Sequence, residues 1–382
     1  MNILELFNAV REKTEAICKP LKPEDYVVQP SVFASPAKWH LAHTTWFFEA
    51  FILEKYSKEY SVFDTNFSYL FNSYYNNVGD RVFRANRGNI TRPDVTEVYK
   101  YRSHINGQIN RLLKENTSQE LIDLVTLGIN HEQQHQELLT TDLKYLFGNN
   151  PIFPVYKEES NLVDNTNTES GYVKIDEGVY EIGYNEDGFC YDNELGRHKV
   201  YLHDFEVSKA LVTNEEFIAF IEDGGYSNFN LWLDAGWTWV QENNVNAPMY
   251  WHKINNEWHY YTLSGLQKVD PKAIVCHISF YEAYAFAAWK GMRLPTEFEW
   301  EIASKQFNWG KRWEWTNSAY LPYPKYKKAK GAVGEYNGKF MNNQMVLRGA
   351  SVVTSNNHSR KTYRNFFHSE ERWQFTGIRL VK

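Results

Sequence analysis

Residues 118–147 read SQELIDLVTLGINHEQQHQELLTTDLKYLF, and this stretch decides the first half of the fold. Apolar residues recur at three-to-four spacing through it, the period of an amphipathic helix, with Ser118 ahead of Glu120 as the start signal. Inside the run, His131 and His135 stand four apart. About 400° of helical rotation separates them, so both imidazoles fall on one face and can share a metal ion. The alternative is that HEQQHQE forms a solvated polar face.

Working outward, three more segments among the first residues carry the same period: LELFNAVREKTEAI (4–17), SPAKWHLAHTTWFFEAFILEKY (35–56) and VTEVYKYRSHINGQINRLLK (95–114). Four such segments predict a helical bundle over residues 1–155. Ser35 followed by Pro36 suits an N-cap and a first-turn position. Residues 72–93, rich in Tyr, Asn, Gly and Arg, have no period and read as an ordered loop. From 149 to 171 the chain gathers Asn, Ser, Thr, Glu and Pro, which is linker composition, and the linker is placed at 156–171. Beyond it, in 172–382, short alternating runs such as YVKIDEGVYEIG, HKVYLHDFEVSKALVT, EWHYYTLSG and MVLRGASVV are interrupted by helices such as SFYEAYAFAAWKG. That pattern predicts an irregular α+β domain.

Composition bounds the function. The chain has 382 residues, 43% hydrophobic and 23% charged, a folded globular mix. Lys and Arg total 41 against 47 Asp and Glu, a net charge of -6 without a dense basic run, so nucleic acid is not an expected partner. No apolar run approaches the roughly 18–20 residues of a membrane helix, and the amphipathic start is unlike a signal peptide. A cytoplasmic protein that meets no membrane is therefore expected; a homo-oligomer is compatible with the sequence. Cys18, Cys190 and Cys276 lie far apart with no CxxC, which argues against a disulfide scaffold or a thiolate metal cage. Aromatic residues at 16% suggest pockets built from rings.

A metal on His131 and His135 needs a third ligand, and WHLAHTTWFFE supplies His40 and His43, three apart and on a similar face. Either completes a three-His set; the commoner two-His, one-carboxylate arrangement would use Glu137. The literal H-E-x-x-H also fits a zinc hydrolase with Glu132 as general base. The longer metzincin form would want Gly at Leu138 and His at Thr141, and the acids some twenty residues on, Glu158 and Glu159, fall in the linker.

Taken in order, SPAKWHLAHTTWFFE, LFNSYYNNVGDR, RANRGNITRP, NHEQQHQE, ISFYEAYAFAAWKGMRLPTEFEWEIA, WEWTNSAY, YNGKFMNNQMVLRGAS and RNFFHSEERWQFTGIRL resemble the EgtB-type ergothioneine sulfoxide synthases across nearly the whole chain. The resemblance implies a DinB-like four-helix bundle followed by a domain similar to the formylglycine-generating enzyme, a C-type-lectin-like fold. It implies non-haem Fe(II) on His43, His131 and His135, with His40 as a neighbour. It further implies that the sulfur of cysteine or γ-glutamylcysteine is joined to the imidazole C2 of N-α-trimethylhistidine (hercynine), with O2 consumed and a sulfoxide formed.

By the same resemblance, Tyr74 and Tyr75 supply a proton or hydrogen atom during oxygen chemistry, with cysteine favoured as donor. Arg84 and Arg87 grip the donor's carboxylate, a task suited to the guanidinium fork; Arg92 is a lesser contributor. Gln134 helps hold trimethylhistidine. A trimethylammonium offers no N–H donor and is best enclosed by rings, for which Trp373 and Phe375 are candidates; Gln374 would reach substrate only where the chain turns. The paired copper-binding cysteines of formylglycine-generating enzymes have no counterpart after Cys276. Neighbouring activities with the same scaffold are a selenoneine synthase using a selenosugar and an ovothiol-type synthase using histidine. Outside that class stand the zinc hydrolase and a non-catalytic binding module.

Overall fold

The structure is a computed structural model and describes residues 2–158, 166–328, 334 and 337–382. Residues 159–165 of the expected linker, and Tyr336 of the YNGKF motif, lie outside the described residues. The chain forms two compact units: one runs to Lys157 and also takes in Thr354–His358, and the other holds most of the remaining described chain.

In the first unit, α1 (Ile3–Cys18), α2 (Ala37–Phe48), α3 (Glu54–Tyr56), α4 (Phe67–Phe71), α5 (Val95–Glu115) and α6 (Gln119–Gly148) follow in order. The long members α1, α2, α5 and α6 pack on one another. Capping boxes start two of them: Asn2 with Glu5 on α1, and Asp94 with Glu97 on α5, each satisfying otherwise orphaned N–H groups reciprocally. All 12 residues of α2 are buried, which suits an element enclosed by its neighbours rather than an amphipathic surface helix. It runs through a π-turn at Glu49–Leu53 into α3, so the expected single segment 35–56 is continuous but widened. That turn carries Glu49, buried and accepting from the Tyr60 and Tyr101 hydroxyls and the Phe63 N–H. The structure corrects one local expectation: Pro36, not Ser35, is the N-cap of α2. Ser35 is occupied elsewhere, donating its N–H to Asp142 Oδ2 at 2.8 Å and accepting from Arg87 at 2.8 Å.

A buried ionic cluster joins the helices. Glu132 on α6 accepts from Arg11 of α1 at 2.9 Å, from Arg102 of α5, and from the Thr14 hydroxyl at 2.6 Å. Burial alone would raise this carboxyl, but the charges of Arg102 and Arg11 outweigh it and hold it down to about 2. The late segment Thr354–His358 lies along α6: the Thr354 hydroxyl donates to Glu137, the Ser355 hydroxyl to Gln136 at 2.6 Å, and His358 Nδ1 meets Gln133 Oε1 at 3.2 Å.

The second unit is α+β. Its strands are β1 (Tyr172–Ile175), β2 (Gly178–Ile182), β3 (His198–Leu202), β4 (Phe205–Ser208), β5 (Trp251–Ile254), β6 (Glu257–Thr262), β7 (Gly265–Lys268), β8 (Trp313–Ala319), β9 (Met345–Gly349), β10 (Asn365–Phe367) and β11 (Thr376–Gly377). They pair as β1-β4, β2-β3, β5-β6-β7 and β10-β9-β8-β11, antiparallel except for β11 on β8. Among the described residues four helices, α7 (Asn214–Glu222), α8 (Asp234–Asn243), α9 (Phe280–Trp289) and α10 (Glu297–Ala303), intervene. Val173, Ile175, Leu202, Phe205, Val207, Trp300 and Val381 make one core cluster, in which β1 and β4 supply alternate residues as the pleat requires. Among the described residues no helix is long and apolar enough to cross a membrane.

Candidate metal centre

Helices α2 and α6 bring His43, His131 and His135 together, with one ring nitrogen from each lying within 4.8 Å of the others. The four-residue spacing on α6 and the packing of α2 against it are enough to create the cluster. His43 and His131 approach Nε2 to Nε2 at 3.2 Å. His43 Nδ1 sits 2.6 Å from the carbonyl oxygen of Phe71, which can only accept. Nδ1 therefore carries the hydrogen and Nε2 is left as a metal donor.

Burial and the other rings suppress the cationic forms. His43 and His135 are held well below the ordinary imidazole value by burial and by their histidine neighbours, and burial takes His131 down to about 3. Neutral imidazoles are what a divalent metal requires. The donor set thus fits a metal ion: three neutral nitrogens, no thiolate, and positions left for exogenous ligands. His40 lies beside the cluster, its Nδ1 2.9 Å from His135 Nδ1 and its Nε2 3.0 Å from Asp142 Oδ2. Of the two histidines left open by spacing, His43 joins the cluster and His40 backs it.

Rings wall the site. Trp39 stacks on His43 with centroids 4.5 Å apart and planes at 9°, Trp46 lies at 5.7 Å, and Phe47 lies 4.6 Å from His131. The Arg87 guanidinium is 3.4 Å from the Trp39 centroid, a cation–π contact on the ring that stacks on His43. Arg87 is buried; its Nη1 and Nη2 donate to the Ser35 and Ser73 hydroxyls at 2.8 and 3.1 Å. Burial and the nearby Arg84 charge push its pKa well down, so an arriving anion would be welcome. Arg84 is exposed and donates to the Phe33 carbonyl.

Tyr75 is fully buried against Trp46, Phe51 and Phe47, whereas Tyr74, 4.7 Å from it ring to ring, is half-buried. Asn72 fixes this loop: its side-chain amide donates to the carbonyls of Tyr75 and Gly79, and its Oδ1 accepts the Tyr75 N–H. Gln134 is half-buried on α6. Among the described residues no carboxylate joins the histidine group; Glu137 accepts from Thr354, and Glu132 is bound by Arg11 and Arg102.

Trp373 and Phe375 are interior residues of the second unit. Phe375 lies 4.7 Å from the His277 ring, Trp373 packs edge-on to Phe367 at 5.5 Å, and His277 Nδ1 meets the Trp373 carbonyl at 3.1 Å. The chain bends there, with the Thr376 N–H reaching the Gln374 carbonyl, so only Thr376–Gly377 counts as strand. Gln374 donates to the Glu371 carbonyl. Sequence reasoning missed Asp142, although its spacing of seven from His135 puts it on the same helix face. It also missed the Phe71 carbonyl, for which no side-chain pattern exists.

Residues 6–139 match the DinB superfamily, and residues 158–312 match the sulfatase-modifying factor enzyme 1-like domain. The two matches follow one another along the chain, the first within the helical unit and the second within the α+β unit. A hercynine oxygenase from Mycolicibacterium thermoresistibile is 28% identical over 51% of this chain and 54% of its own length. One from Mycobacterium tuberculosis is 28% identical over 50% and 55%. A formylglycine-generating enzyme from Streptomyces coelicolor is 31% identical over 38% of this chain and 50% of its own length. The chain thus spans about half the length of the curated relatives it matches.

Proposed function

We propose that this protein is a non-haem iron(II), O2-dependent sulfoxide synthase that joins the sulfur of cysteine to C2 of N-α-trimethylhistidine. The observation that carries the reading is the buried set of three neutral imidazoles in a DinB-type unit, in a chain whose relatives include hercynine oxygenases. Iron(II) on His43, His131 and His135 would supply a redox centre with open positions that also lowers the pKa of a thiol. The stoichiometry closes without an external reductant. The imidazole C–H and the thiol S–H are replaced by a C–S bond, one oxygen atom leaves in the sulfoxide, and the other leaves as water.

The chain's own residues divide the remaining work. Arg87, a buried cation whose partners are serine hydroxyls, and Arg84 in the same loop take the donor's carboxylate. Tyr74 and Tyr75 hold phenolic protons for the oxygen chemistry, with Asn72 setting their loop. Gln134 contacts trimethylhistidine. The commitment of Glu132 to two arginines disfavours the zinc hydrolase reading.

The test is anaerobic reconstitution with iron(II), then O2 with trimethylhistidine plus cysteine, γ-glutamylcysteine or a selenosugar in parallel, followed by product mass. A trimethylhistidine–cysteine sulfoxide is expected. Coupling of the selenosugar alone would move the chain to the selenium branch, and absence of any thiol-dependent O2 uptake would overturn the synthase reading.

A further inference from the structure

The hydrogen-bond order behind His135 runs across three residues from two helices. Asp142 Oδ2 accepts the Ser35 N–H at 2.8 Å and also lies 3.0 Å from His40 Nε2. A carboxylate offers acceptors only, so the His40 hydrogen sits on Nε2 and the lone pair of the neutral ring sits on Nδ1. That lone pair faces His135 Nδ1 at 2.9 Å. Two nitrogens this close make a hydrogen bond only if one carries hydrogen, so His135 is protonated at Nδ1 and its lone pair is at Nε2.

We infer that Asp142 and His40 are positioning residues that fix the His135 tautomer and thereby set the affinity of the three-histidine centre for a divalent metal. The inference rests on the metal-centre reading above. It distinguishes two kinds of ligand control in one site. His43 takes its tautomer from a backbone carbonyl, which no substitution at that position removes, while His135 takes its own through two side chains that can be exchanged. Partners behind ligating histidines commonly change metal affinity ten- to a hundred-fold when altered.

The polarity of the relay gives a test that bulk packing does not mimic. The Ser35 N–H and His40 Nε2 both meet Oδ2, so in Asp142→Asn an amide oxygen at that point accepts from both and the order is kept. In His40→Gln the amide also keeps the order, donating to Asp142 and accepting from His135. In His40→Leu nothing accepts the His135 Nδ1 hydrogen, and His135 is free to carry hydrogen on the metal-facing nitrogen.

Cobalt(II) binding to the full chain, read by titration and by the visible ligand-field spectrum, compares these variants, with the unfolding midpoint of the metal-free proteins measured alongside. Asp142→Asn and His40→Gln are expected to lose less than about ten-fold, and His40→Leu to bind roughly ten- to a hundred-fold more weakly. Wild-type affinity and spectrum in His40→Leu, or equal losses in His40→Leu and His40→Gln, would overturn the relay. If His40→Leu does not fold, Asp142→Leu against Asp142→Asn carries the same contrast, since only the latter leaves His40 Nε2 an acceptor; equal affinities there would overturn it. Wild-type protein that binds no cobalt(II) would instead overturn the metal-centre reading beneath it.

Discussion

Glu132→Gln separates a structural carboxylate from a catalytic one. Glu132, Arg11 and Arg102 have side chains at most 1% exposed, and the carboxylate accepts from both guanidiniums and from Thr14. The amide retains one acceptor, but its NH2 group is turned against a guanidinium donor, and two buried positive charges lose the counter-charge they share, with Arg102 keeping only Glu15. Breaking a buried pair from one side costs about 3–5 kcal/mol. At roughly 2–4 °C per kcal/mol for a unit of this size, the helical unit should unfold some 6–20 °C lower. Thermal unfolding followed by helical circular dichroism reads this directly, and cobalt(II) binding well below the transition should persist, because Glu132 bonds to none of the ligand histidines. Adding Arg102→Met should recover part of the loss by removing one stranded charge. An unchanged midpoint together with abolished turnover would refute the reasoning, since that is the behaviour of a general base.

Two further perturbations probe other parts of the chain. Burial pushes the Cys18 thiol up to about 12, so iodoacetamide at mildly alkaline pH should leave Cys18 unlabelled in the native protein and label it in denaturant; native labelling by mass spectrometry would contradict that environment. Gly196 has φ +89°, and a Cβ there would stand 2.3 Å from the Pro324 carbonyl oxygen, so Gly196→Ala should destabilise the second unit by about 2 kcal/mol or more in urea unfolding.

Local order was legible in the sequence wherever one face of an element had to be apolar. The four long helical segments follow from three-to-four spacing, and α9 falls within SFYEAYAFAAWKG, where a helix is expected. The pair His131 and His135 follows from the same geometry. The choice between His40 and His43 did not, because residues three apart share a face and only the packing of α2 on α6 separates them. Ser35 was misread for a similar reason: its side chain suits a cap, but Arg87 engages it from the loop 72–93. The ionic cluster around Glu132 was illegible, since Arg11, Arg102 and Glu132 are isolated charges in sequence and meet only when three helices pack. The seating of Thr354–His358 on α6 likewise leaves no local signature.

That last feature bears on how the protein is made. Gln133 and Glu137 wait for His358 and Thr354, which are 225 and 217 residues further along the chain. At synthesis rates of roughly 5–20 residues per second, the helices leave the ribosome about 10–45 s before the segment that completes them. Over that interval the polar edge of α6 faces water or a chaperone, and the helical unit finishes folding only when almost all of the chain has been translated. A gene split after Lys157 would therefore yield a helical product missing its final tenants, and supplying the second half in trans would be a search between molecules rather than a closing of one.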